Sequence, residues 1–89
     1  MQTIILDGKY LLEKENAHVY LQEKLNLPEY YGRNLDALYD CLTEFVDIEI
    51  HMVIPADVMK EEKNTYFHKV KRVLQAAARE NKELKLIIS

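Results

Sequence analysis

The spacing of apolar residues changes along this chain, and each change marks an element. Thr3-Ile4-Ile5-Leu6 is a short run rich in β-branched residues, closed by Asp7-Gly8, with the length and ending of a buried strand. Ala17, Tyr20, Leu21 and Leu25 then recur at helical spacing and predict a helix over 14–25. Asn26 and Pro28 stop it, because the residue before a proline is pushed out of the α region. Over about 34–45 the helical period returns, with Leu35, Leu38, Leu42, Phe45 and Val46 on one side. Asp36, Asp40, Thr43 and Glu44 fall on the opposite side, with Tyr39 on the border. Asn34 suits the N-cap of this helix, where a side-chain oxygen accepts an otherwise orphaned amide proton.

Downstream, 49–54 (Glu49-Ile50-His51-Met52-Val53-Ile54) reads as a second strand. Pro55 suits the start of a short helix over about 56–61, since its missing N–H would be unpaired there anyway. Tyr66, Val70, Val73, Leu74 and Ala77 stripe a longer helix over 64–81, and 84–88 forms a final strand. The order is β-α-α-β-α-α-β. Strands separated by helical crossovers pair in parallel with right-handed connections. The expectation is an α/β fold, a three-stranded parallel sheet packed with about four helices. No linker, repeat or low-complexity tract divides the chain, so 1–89 reads as a single domain.

Three carboxylates stand in a row on the second helix. Asp36 and Asp40 are four apart, as are Asp40 and Glu44, and like charges at that spacing oppose helix formation by about 0.2–0.5 kcal/mol per pair. No Lys or Arg lies three or four residues from Asp40 to relieve it. Asp36 has a structural explanation, because an anion in the first helical turn gains about 0.3–1 kcal/mol from the helix dipole. Asp40, mid-helix between two acids, has none, and a cation from outside the chain would complete it. Tyr30, Tyr31 and Tyr39 gather around the same face, the composition of an interface centre. One of Tyr30 and Tyr31 is expected to close the small core instead.

Charge sharpens that picture. The net charge is −3 over 89 residues, but 29–47 holds Glu29, Asp36, Asp40, Glu44 and Asp47 against Arg33 alone. The stretch 60–85 carries eight bases against four acids, so the chain is a dipole with its acidic pole on the second helix. Such a pole repels nucleic acid and steers a basic partner. No run approaches about 18 apolar residues, which excludes a membrane-spanning helix. The amino terminus lacks the basic start and apolar core of a secretion signal. Cys41 is the lone cysteine, so an internal disulfide is impossible and a reducing cytoplasm is the expected location.

Candidate chemistry is sparse. His18, His51 and His68 sit on three different elements without a ligand spacing, so neither a metal nor any other cofactor is expected. Cys41 lies within a helix with no histidine near it in sequence and reads as a small hydrophobe. Gly8 and Gly32 form no phosphate-cradling pattern. Lys69, Lys71 and Arg72 read as a solvated helix face rather than a phosphate contact. Paired aspartates could serve a small hydrolase, but acid–base work needs a pocket that separates their pKa values. A non-inhibitory module that binds some other basic protein is a further alternative.

The motif Leu-Pro-Glu-Tyr-Tyr-Gly-x-Asn-Leu-Asp-Ala-Leu-aromatic-Asp-Cys-Leu-Thr, seventeen residues at 27–43, resembles the barstar family, intracellular inhibitors of the ribonuclease barnase. Ile-Leu-Asp-Gly at 5–8 and Leu-Ile-Ile-Ser at 86–89 extend the likeness. The resemblance implies an inhibitor, not an enzyme, that plugs the active site of a basic barnase-like ribonuclease in a 1:1 complex and is monomeric when free. It implies partner contacts at Tyr30, Gly32, Asn34, Asp36, Tyr39, Asp40 and Thr43, with Asp40 in the place of the substrate phosphate and Asp36 against a further basic group. Tyr39 and Phe45 stand where the family has tryptophans, and Glu44 where it has a glycine, so Glu44 joins the contact set. Glu80 is the nearest equivalent of an acidic contact on the last long helix.

Overall fold

A computed structural model describes residues 2–59 and 65–89. Strand β1 (Gln2–Asp7) leads through a 3-10 turn (Gly8–Tyr10) to helix α1 (Lys14–Lys24) and helix α2 (Leu35–Thr43). Strand β2 (Ile48–Val53), the short helix α3 (Ala56–Met59), helix α4 (Tyr66–Glu80) and strand β3 (Leu84–Ile88) complete the order β-α-α-β-α-α-β. Positions 60 and 61 of the expected short helix, and 64 of the expected long one, lie outside the described residues. None of the described helices is long and apolar enough to cross a membrane.

The sheet has the order β1-β2-β3, wholly parallel, with Ile4, Ile50 and Leu86 in one row and Ile5, His51 and Ile87 in the next. Strands that follow one another in space as in sequence, joined by right-handed crossovers, receive every helix on the same face. Burial alternates accordingly. Ile4, Leu6, Ile48, Ile50, Met52 and Leu84 are buried, while Thr3, Ile5 and Lys85 are exposed. Over the buried face pack Ala17 and Leu21 of α1, Leu38 and Leu42 of α2, and Phe67, Val70, Leu74 and Ala77 of α4. The 3-10 turn brings Gly8 hard against α4: a Cβ there would sit 3.0 Å from the Phe67 ring and 3.2 Å from the Val53 carbonyl. Glycine makes that approach without displacing the ring or the carbonyl.

Helix α1 ends as its sequence requires. Asn26 takes a left-handed conformation (φ 52°), Leu27 N donates to Gln22 O (2.9 Å) and Asn26 N to Glu23 O (3.3 Å). This is the paired hydrogen bonding of a Schellman motif, with asparagine in place of glycine. One apolar stripe is shorter than the spacing predicts. Val46 is 74% exposed, because α2 stops at Thr43 and the chain then turns, with Asp47 left-handed (φ 53°), so Val46 has lost the helical phase that would carry it inward.

Candidate functional site

Helix α2 is held at both ends and along its back. At the start, Asn34 Oδ1 accepts Ala37 N at 2.7 Å, the cap that its residue type promised. At the finish, Asn81, immediately after α4, donates through Nδ2 to Leu42 O (3.0 Å) and Phe45 O (2.8 Å). Asn81 thus adds a second donor to Leu42 O, which also accepts Phe45 N at 3.3 Å, and satisfies Phe45 O just beyond the helix. Along the back, Leu38 and Leu42 are 0% exposed. Burying a leucine side chain contributes about 1.5–3 kcal/mol, so the outward face of α2 rides on a fixed core.

The preceding loop is braced as firmly. Gln22 of α1 donates through Nε2 to Pro28 O (2.9 Å) and accepts from Arg33 Nε (3.2 Å). Tyr31 turns inward and is buried, and its hydroxyl bonds His18 Nδ1; the other ring nitrogen, Nε2, bonds the Tyr66 hydroxyl. His18 is 1% exposed, so burial first, then Lys14 and Arg33, hold its pKa below the usual value near 6.5. Burial likewise pushes the Tyr31 and Tyr66 hydroxyls up. A neutral imidazole between two un-ionised phenols thus ties the loop to α1 and α4. Neither His18, Gln22 nor Asn81 stands out by spacing, because their partners lie between 6 and 48 residues away.

On this frame Asp36, Asp40 and Glu44 are all exposed, and none has an ion pair among the described residues. Lys14 and Lys69 border the same shallow groove as Asp36 without pairing to it. Asp40 and Glu44 line a different groove of about 550 Å³, bounded by Leu27, Pro28, Tyr30 and Phe45. Asp36 and Asp40 therefore border different grooves, and neither groove holds the aspartate pair that acid–base work would need.

The remaining expected positions divide by what they do. Tyr30 is 90% exposed and free of ring contacts among the described residues, whereas Tyr31 took the core place foreseen for one of the two. Gly32 is exposed beside the Asn34 side chain, whose Nδ2 donates to Gly32 O at 3.3 Å. Asn34 thus serves the helix and the loop with both of its polar atoms. Tyr39 is half-buried against the core, and Thr43 Oγ1 donates back to Asp40 O at 2.8 Å. Glu80 is exposed at the end of α4 and borders neither groove of the acidic row. Cys41 lies in the groove beneath Asp40, its thiol pushed up by burial, then by Glu44 and Asp40.

Compared with known proteins, residues 1–88 match the family model described as Barstar (barnase inhibitor). The chain belongs to the barstar family. A relative named "Putative ribonuclease inhibitor YrdF", from Bacillus subtilis (strain 168), is 42% identical over 90 residues, 99% of each chain. Membership makes ribonuclease inhibition the general activity and a ribonuclease the class of partner. It also places the chain among inhibitors rather than enzymes.

Proposed function

We propose that this chain inhibits a basic, extracellular, barnase-like microbial ribonuclease by laying α2 and the preceding loop into its active site. Asp40 takes the place of the substrate phosphate, and Asp36 meets a second basic group at the edge of the cleft. Tyr30, Gly32, Tyr39, Thr43 and Glu44 complete the contact, and Asn34 shapes it. Glu80 lies next to Asn81, which binds the end of α2, and adds an outer acidic contact there.

The observation that carries this reading is the row Asp36-Asp40-Glu44, exposed on a braced helix and without an ion pair among the described residues. Ribonuclease clefts are cationic because they stabilise phosphate charge, so a rigid line of carboxylates substitutes for the RNA backbone. Complementarity of this kind accelerates encounter, with association up to about 10⁸–10⁹ M⁻¹s⁻¹ at low salt. The chain acts as a monomer in a 1:1 complex, and a cytoplasmic location would protect the producing cell from its own enzyme. The test is a titration of purified chain into RNA cleavage by barnase and by the basic secreted ribonuclease of the same organism. Stoichiometric loss of cleavage for either enzyme supports the reading. Undiminished cleavage of both at micromolar inhibitor would leave a binding module for some other basic protein.

A further inference from the structure

We propose that the cleft between the start of α1 and the loop that leads into α2 binds a small phosphate group, either the free ion or a phosphate ester, held by Arg33 and Lys14. The inference goes beyond the inhibitor reading and does not depend on it.

The cleft, about 310 Å³, is lined by Lys14, Glu15, His18, Val19 and Arg33, and by none of the residues assigned to the ribonuclease contact. Its floor is fixed. His18 is buried, and both of its ring nitrogens are engaged by the Tyr31 and Tyr66 hydroxyls, so the ring stays beneath the cleft rather than filling it. Arg33 is aimed before any ligand arrives. Its backbone is left-handed (φ 53°), which costs a residue other than glycine about 1–3 kcal/mol. Its Nε donates to Gln22 Oε1 at 3.2 Å, which sets the guanidinium plane. The two terminal nitrogens have no partner among the described residues and form a fork of donors that matches two phosphate oxygens.

Both cations are badly placed for the free chain. Lys14 is the first residue of α1, and Arg33 stands one residue before the N-cap of α2, so each meets the positive end of a helix dipole. Neither has an ion pair among the described residues, although Glu15 shares the cleft. Below them, burial and then Lys14 and Arg33 keep the His18 ring neutral, so both charges are felt at one point. An anion seated over that point relieves both. A phosphate ester carries about −1.5 to −2 near neutral pH, enough to answer two bases, whereas a carboxylate answers one. Val19 adds an exposed apolar wall on which the organic body of an ester can rest.

The test titrates the ¹⁵N-labelled chain, at constant ionic strength and near neutral pH, with inorganic phosphate, with adenosine 5′-monophosphate and, as a singly charged control, with acetate. The expected result is saturable amide shifts confined to 13–19 and 32–34 for the phosphates and none for acetate. Binding should weaken about two- to fivefold in Arg33→Gln and in Lys14→Gln, the worth of one exposed ion pair, and stay unchanged in Lys24→Gln at the far end of α1. In the unaltered chain, saturating phosphate should raise the His18 pKa, because a nearby anion favours the imidazolium. Tighter binding of the nucleotide would assign the site to an organic phosphate and equal binding to the free ion, and either supports it. Equal shifts with acetate, shifts spread over every lysine and arginine, indifference to both Arg33→Gln and Lys14→Gln, a His18 pKa unmoved by phosphate, or no shift at all would each overturn the proposal. Ribonuclease inhibition is read in its own titration, so either reading can fail while the other stands.

Discussion

Replacing Asp40 by asparagine should make the free protein more stable and the inhibitor much worse. Asp40 stands four residues from Asp36 and four from Glu44, and all three carboxylates are exposed. Removing its charge relieves two like-charge pairs, each about 0.2–0.5 kcal/mol, so the gain is about 0.4–1 kcal/mol at low ionic strength. Screening reduces that figure as salt rises, since the groups face solvent. Asparagine and aspartate have similar helix propensities, so little else changes in α2. The Asp40 carbonyl that receives Thr43 Oγ1 is backbone and stays in place. In the complex the sign reverses. Removing one partner of a buried ion pair costs about 3–5 kcal/mol, or about two to four decades in Kd. Urea unfolding of the two proteins at low and high salt, alongside inhibition titrations, measures both halves. A loss of stability in Asp40→Asn would show that the carboxylate serves the fold, and undiminished inhibition would remove it from the phosphate site.

Other expected outcomes use different parts of the molecule. The buried His18 has a lowered pKa, so between that value and about 6.5 the unfolded chain binds the proton more readily. Its contribution to stability is therefore complete above about pH 6.5 and declines as pH falls, by at most about 1.4 kcal/mol per pH unit. An NMR titration placing the His18 ring at or above 6.5 would contradict this. Association with the ribonuclease should slow steeply between about 0.05 M and about 0.5 M salt, and a flat response in stopped-flow traces would argue against steering. Asn34→Ala removes the bond from Ala37 N and should lower stability by about 0.5–2 kcal/mol in denaturant unfolding. An unchanged midpoint would mean that the cap contributes nothing.

Much of the fold was legible because its elements announce themselves locally. The β-branched run before Asp7-Gly8, the stop at Asn26 and the cap at Asn34 each depend on neighbours within a few residues. What stayed hidden depends on distance in the chain. Phe67, buried at 1%, shares one helical face with Val70, Leu74 and Ala77, so the expected stripe began one residue early at Tyr66, and packing on the 3-10 turn at Gly8 fixes the phase. Leu11, fully buried, sits in that same turn region, where no period operates. Val46 fails for the opposite reason, since a period was extended past the point where the helix ends. The acidic row was visible as a pattern, and its exposure follows from the two leucines on the other side of α2. The groove beside it was not visible, because its walls come from a loop and a helix that touch only after folding.

One nine-residue helix carries inward leucines and outward acids on interleaved positions, so its interior and its exterior obey separate constraints. Leu38 and Leu42 are fixed by the core, while Asp36, Asp40 and Glu44 face solvent and touch none of it. Substitutions on the outward face can therefore leave the scaffold beneath them standing still.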